Sequence, residues 1–427
     1  MKVAVVGGGS TYTPELVDGL LRRRDALDLE EIVLVDPDAE RLAVIGPFAR
    51  RMAGHSAPGV RVSWTDALDE GVRGARFVVS QIRVGGMAAR LRDEELGREF
   101  GLIGQETVGV GGFANALRTI PVALRIAEVV EAEAPGATLL NFTNPAGLVT
   151  EALCRHGRVP TIGLCNVPWS TKALIAGHLG VDATEVDIDT VGLNHLTWTR
   201  KVVVQGRDRT PEVLAGLREL VAAAAADPDG EPEWTPASVD LFGAVPNYYL
   251  LYYYETEAWV RHQAAHPPRA TEVMAIEEEL LAKYADPDLD TKPPELDQRG
   301  GAYYSEAAAA LMADIAADAG TVHVVNTPNR GAVPGLPDDV VLEVAAVVSA
   351  GGVAPRPTAP LRADQDALVR TMKDVELLAV EAAVRGDEEA ARLALLVHPL
   401  GPPAHLVDAV WARLREVHAG WLGALDG

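Results

Sequence analysis

The chain has 427 residues, 48% of them hydrophobic and 23% charged, which suits one large or two smaller globular domains. A formal net charge of −23 argues against nucleic acid and anionic membranes as partners, because phosphate surfaces would repel it. No apolar run is long enough for a membrane span and the start enters a strand at once, so a soluble cytoplasmic protein is expected.

The two cysteines, Cys154 and Cys165, cannot build a disulfide framework; Cys154 is expected to be buried on a helix, and Cys165 to be functional.

In chain order, Lys2 to Val6 reads as a buried strand, followed by a Gly7-Gly8-Gly9-Ser10 turn into a helix with Thr13 as N-cap and Pro14 at its first position. Gly7 and Gly9 match two glycines of a dinucleotide fingerprint, while Tyr12 stands in place of the third. A second strand, Ile32 to Val35, ends in Asp36, an acid suited to accept hydrogen bonds from an adenosine ribose. Further strands are expected at Val60 to Trp64 and Phe77 to Gln81, the latter delivering Arg83.

Strands alternating with helices at this interval imply right-handed crossovers and a parallel sheet. Arg90 follows on a helix with Asp93, Glu94 and Glu95, most of whose charges read as a solvated face. Residues 103–112 read as a glycine-rich loop before a long helix from Asn115 to Glu133. A strand from Ala137 leads to Asn144, directly before Pro145 at a helix start, where its amide either caps the helix or reaches a ligand.

Val159 to Leu164 and Val186 to Val191 read as strands that deliver Cys165 and His195 to two neighbouring strand ends. A thiolate and an imidazole there would form a half-site for a divalent transition metal, with the remaining positions open to substrate. Residues 222–236 look like a helix end and a surface loop, and residues 248–254 hold five of the nine tyrosines. Helices are expected at Ala270 to Tyr284 and Ala302 to Ala317, strands at Val322 to Asn326 and Val340 to Val348, and a mainly helical remainder. The fold class is thus α/β, with an N-terminal Rossmann-like parallel sheet over residues 1–170 and a C-terminal mixed α/β domain over residues 171–427.

The motifs VGGGSTYTPEL, GQETVGVGGFANALRTIP, NFTNPAGLVTEAL, GLCNVP, GLNHLTW, the tyrosine run, QRGGAYYSEAA and HPLGP occur in that order. Together they resemble glycoside hydrolase family 4, and within it the 6-phospho-β-glucosidases, over residues 1 to about 405. The resemblance implies NAD and a divalent metal, usually Mn2+, with hydrolysis by C3 oxidation, C2 deprotonation, elimination, water addition and re-reduction. The family's NAD dependence is already known as an exception to two-carboxylate glycoside hydrolysis.

Carried over by position, the resemblance makes Cys165 and His195 the metal ligands, Tyr249 the base and Glu106 its acidic neighbour. Asn144, Arg90 and Arg299 become sugar-phosphate contacts, Gly7, Gly9, Ser10 and Asp36 the cofactor side, and Arg83 a cofactor or substrate contact. The substrate implied is a phosphorylated disaccharide or aryl β-glucoside 6-phosphate, and a homodimer or homotetramer is the implied assembly. Members acting on α-linked phosphosugars commonly carry Asp after the metal cysteine; this chain has Asn166, which favours β-linked substrates. Other anomer or sugar specificities within the family stay open, as does a net hydroxy-acid oxidoreductase, which would need a histidine base backed by a carboxylate.

Overall fold

The computed structural model describes residues 1–224, 230–299 and 303–426. Part of the expected loop at 222–236, the Gly300-Gly301 pair and the expected helix start at Ala302 lie outside the described residues; the helix that follows is Tyr304–Ala316.

The first six strands are β1 (Lys2–Val6), β2 (Glu31–Val35), β3 (Arg61–Thr65), β4 (Phe77–Ser80), β5 (Thr138–Asn141) and β6 (Thr161–Gly163). They pair in parallel in the order β3-β2-β1-β4-β5-β6. Val3, Val5, Ile32 and Leu34 pack on one face of this half, and Ala4, Val6, Val33 and Val35 on the other. Burial on both faces explains why these strands read as continuous apolar runs.

The sheet continues through β7 (Val186–Leu193), β8 (Leu196–Val204), β9 (Arg207–Asp208), β10 (Val245–Pro246), β11 (Thr321–Pro328), β12 (Val341–Ser349) and β13 (Gly352–Pro355). From β6 outward the order is β11-β12-β7-β8-β10, all antiparallel, with β13 on β12 and β9 on β8. Cys165 and His195 therefore do not leave neighbouring strands, because the β11–β12 pair is inserted between β6 and β7.

Several local expectations are corrected. The helix after the glycine turn is Thr13–Arg22 with Tyr12 in the cap position, because the Thr13 hydroxyl is taken by the Gln81 amide at 2.8 Å. The glycine-rich stretch is not all loop: helix Gly109–Glu133 begins inside it. A Cβ on Gly111 would stand 2.4 Å from the Gln105 carbonyl, so glycine there permits close packing of the helix start.

Asp93 and Glu94 are buried, not solvated, since Asp93 pairs with Arg118 at 2.7 Å and Glu94 with Arg90 at 2.8 Å. Cys154 is only partly buried, on helix Ala146–His156. Among the described residues no helix is long and apolar enough to cross a membrane.

Candidate active site

A cleft of about 1390 Å³ opens at the carboxyl ends of the parallel strands, where doubly wound sheets bind ligands. Gly7, Gly9, Ser10, Asp36, Arg83, Arg90, Glu106, Asn144, Asn166, Tyr249 and Arg299 all line it. Cys165 and His195 are not among its lining residues; they are 2% and 4% exposed, set into the wall beside it.

The glycine turn is pinned from two directions. The Gln81 amide donates to the Gly7 carbonyl at 3.1 Å, and the Gly9 N–H donates to Asp36 Oδ2 at 2.9 Å. Gly7 has φ +89, and a Cβ there would meet the Gln81 carbonyl at 2.7 Å. The backbone is thus held against the sheet, leaving the start of helix Thr13–Arg22 facing the cleft as a natural anion seat. Ser10 Oγ accepts the Tyr12 N–H at 3.2 Å and helps shape the same turn.

In the neighbouring wall, Cys165 Sγ lies 3.5 Å from His195 Nε2. His195 Nδ1 meets Thr107 Oγ1 at 3.0 Å, and the Thr107 hydroxyl donates to Gln105 Oε1 at 2.7 Å. Gln105 Oε1 also accepts the Thr107 and Val108 N–H groups, which fixes it as the acceptor. The Thr107 oxygen must then accept from His195, so Nδ1 carries the proton and the Nε2 lone pair faces Cys165.

Burial pushes the His195 imidazole down to about 3, against the pull of Glu106, so it is neutral at physiological pH. Burial, with Glu343 next, pushes the Cys165 thiol up to about 12. The donor set fits one divalent ion: bonds of about 2.3 Å to sulfur and about 2.1 Å to nitrogen span the observed gap. Among the described residues no group of three or more His, Cys, Asp or Glu could hold a metal, so the protein would supply two ligands and leave the rest of the shell open.

Tyr249 follows Asn247, whose side chain accepts the Tyr249 N–H at 3.0 Å and starts a short 3-10 turn at Tyr248–Leu250. This places the Tyr249 ring flat on His195, with centroids 3.7 Å apart. Burial raises the Tyr249 hydroxyl far above the usual phenol range, and Cys165 and Glu106 add to it, while Arg90 opposes it. Glu106 is held down to about 2: burial would raise it, but Arg83 and then Arg90 outweigh that. Arg90 Nη1 stands 3.2 Å from Glu106, and Arg83 is ion-paired to the same carboxylate.

Arg299 is bound to Glu277 at 2.9 Å and to Thr11 Oγ1 at 2.6 Å. Arg41 shares that Glu277 carboxylate at 3.3 Å, so two guanidiniums face one carboxylate and one positive charge is left over. Asn144 gives a hydrogen bond to Tyr304, while its carbonyl oxygen is buried with no partner in the protein.

The profile of the family 4 glycosyl hydrolases matches residues 2–181, and that of the family 4 glycosyl hydrolase C-terminal domain matches residues 190–401. The chain belongs to glycosyl hydrolase family 4. It is 38% identical to a probable 6-phospho-beta-glucosidase of Bacillus subtilis over 99% of this chain and 97% of that one. A 6-phospho-beta-glucosidase of Thermotoga maritima is 39% identical over 94% of each chain. A crystal structure of the 6-phospho-beta-glucosidase from Thermotoga maritima, with manganese, NAD+ and glucose-6-phosphate, superposes with a TM-score of 0.90. It is 35% identical and covers 97% of this chain and 98% of that chain.

Several residues of this family 4 cleft escape the sequence reading. Gln105 and Thr107, which set the His195 tautomer, sit inside the GQET motif and were within reach of it. Tyr304, beside Asn144, lies in the QRGGAYYSEAA motif. Glu277, which anchors Arg41 and Arg299, has no motif of its own, being one of four glutamates in a helix. His195 has a hydroxyl, not a carboxylate, behind its Nδ1, which removes the arrangement a hydroxy-acid dehydrogenase would need.

Proposed function

We propose that this family 4 chain is an NAD- and divalent-metal-dependent 6-phospho-β-glucosidase. The observation that carries the reading is the stack of Tyr249 on His195, with His195 Nε2 3.5 Å from Cys165 Sγ, beside a cleft that also holds a dinucleotide-type glycine turn. The names of the Bacillus subtilis and Thermotoga maritima relatives support the phosphoglucoside, and the manganese, NAD+ and glucose-6-phosphate of the Thermotoga structure support the cofactors.

In this reading Cys165 and His195 would hold the metal, and Gly7, Gly9, Ser10 and Asp36 would hold NAD, with Arg83 at its flank. Bound together, the two groups would supply a reversible hydride acceptor and an electrophile, so that C3 oxidation, C2 deprotonation, elimination, water addition and re-reduction would sum to hydrolysis.

The proton steps fall to the chain. Tyr249 takes the C2 proton. Its phenol is too weak an acid in the buried site alone; a divalent ion held by Cys165 and His195 would supply the positive charge that favours the phenolate. Thr107 keeps the His195 proton on Nδ1, away from the metal side. Glu106 and its two arginines set the charge beside Tyr249.

Arg299, with the surplus charge of its pair with Arg41, takes the 6-phosphate together with Arg90, and the orphan carbonyl of Asn144 accepts a sugar hydroxyl. Asn166, which cannot protonate a leaving group, goes with β-linked substrates.

The test is a panel of phosphorylated and free aryl α- and β-glucosides assayed with and without NAD+ and Mn2+. Cleavage confined to the 6-phospho-β-glucoside, and dependent on both additions, is expected. No cleavage of that compound under full conditions overturns the reading.

A further inference from the structure

One row of residues crosses the middle of the sheet: Gly163 of β6, Asn326 of β11, Glu343 of β12 and Gly192 of β7. Cys165 lies two residues beyond the first and His195 three beyond the last. The outer positions have no room for side chains, since a Cβ on Gly163 would meet Asn326 Cβ at 2.7 Å and one on Gly192 would meet the Leu196 carbonyl at 2.1 Å. The strands that separate the two candidate ligands thus place an amide and a carboxylate between them.

Glu343 is fully buried in a strand otherwise made of Val, Leu, Ala and a terminal Ser. Its Oε1 accepts from Asn326 Nδ2 at 3.1 Å and from Asn194 Nδ2 at 3.0 Å, while Oε2 has no partner in the protein. Burial and these two amides are what act on it, with no cationic side chain. An aliphatic residue would pack there without the cost of desolvating a carboxyl group, so packing does not explain this one. Asn194 supplies the link to the site: it directly precedes His195, and its amide also hydrogen-bonds to Cys165.

We propose that Glu343 is a positioning residue for the divalent metal: it holds Asn194, which bridges to Cys165, and so keeps sulfur and imidazole poised for one ion. This rests on the metal dependence proposed above. Partners of this kind, one shell behind the ligands, commonly change metal affinity by about 10- to 100-fold when removed.

The test uses the full-length protein stripped of metal with a chelator and titrated with Mn2+, free Mn2+ being read by electron paramagnetic resonance. Glu343→Leu, which removes the acceptor, Asn194→Ala and the double variant are compared with the wild type, with NAD+ binding and the metal-free melting temperature measured alongside.

Each single variant should bind Mn2+ about 10-fold or more weakly, and the double variant no more weakly than the worse single one. NAD+ binding should be kept, and the metal-free Glu343→Leu chain should still unfold in one cooperative transition. An Mn2+ Kd within twofold of wild type in Glu343→Leu overturns the proposal, as do fully additive losses. Should Glu343→Leu fail to fold, unchanged Mn2+ affinity in Asn194→Ala, whose side chain is half-buried, overturns it equally. A wild-type chain that binds no Mn2+ overturns the metal-dependent reading itself, which is a different result from a metal-binding wild type with indifferent variants.

Discussion

The ring of Tyr249 lies flat on the imidazole of His195, the centroids 3.7 Å apart and the planes 7° from parallel. The hydroxyl and the stack are therefore separable by mutation. Tyr249→Phe keeps the ring on His195 and removes only the proton acceptor. We expect kcat to fall by about 10²- to 10⁴-fold, with the Kd for Mn2+ near its wild-type value. Steady-state kinetics with a parallel Mn2+ titration check this; a loss of Mn2+ affinity as large as the loss of kcat would make the ring's role structural.

Gly9 donates its N–H to Asp36, and a Cβ at Gly9 would come within 2.9 Å of that carboxylate. Gly9→Ala should displace Asp36 from the nucleotide side of the cleft and weaken NAD+ by about 10-fold, roughly 1.4 kcal/mol. Calorimetric titration with NAD+ reads this directly, and the melting temperature without NAD+ shows whether the fold has been spared.

Asn166 lines the cleft next to Cys165. Replacing it with Asp supplies an ionisable group at the leaving-group side, so Asn166→Asp should shift the ratio of kcat/KM between α- and β-linked 6-phosphoglucosides while leaving NAD+ affinity unchanged. Loss of NAD+ binding in that variant would count against this role.

His398 of the HPLGP motif is buried, accepts the Leu400 N–H on Nδ1 at 2.9 Å, and is pushed by burial from its ordinary 6.5 down to about 4. Below pH 6.5 the unfolded chain takes up a proton that the folded chain refuses until about pH 4. Stability should therefore fall as pH drops through that window, by up to about 1.4 kcal/mol per pH unit from this group. His398→Asn, which keeps an acceptor but does not titrate, should reduce the slope of that part of the pH profile in urea denaturation, leaving the share that buried His195 contributes over the same window. An unchanged slope would show that the acid sensitivity arises elsewhere.

The parallel half of the fold was legible because its strands are buried on both faces and so read as short apolar runs between turns. The glycine turn and the acid at the end of β2 were legible because a glycine fingerprint consists of local residue types at fixed offsets. The insertion of β11 and β12 between β6 and β7 was not, since strand pairing across such sequence separations leaves no periodic trace.

Charge was misread for the same kind of reason. Asp93 and Glu94 look like any exposed helical acids, and only their buried partners, Arg118 and Arg90, distinguish them. Glu343 sits in an apolar strand where sequence shows only an interruption, and the three-dimensional row shows what stands beside it.

The central claim is a redox-neutral hydrolysis in which the chain removes the C2 proton. It is tested most directly by turning over 4-nitrophenyl β-D-glucoside 6-phosphate in D2O with NAD+ and Mn2+, and reading the product by NMR. The account predicts glucose 6-phosphate carrying deuterium at C2, with no net NADH. Product with hydrogen retained at C2, or NADH formed in step with product, would contradict it.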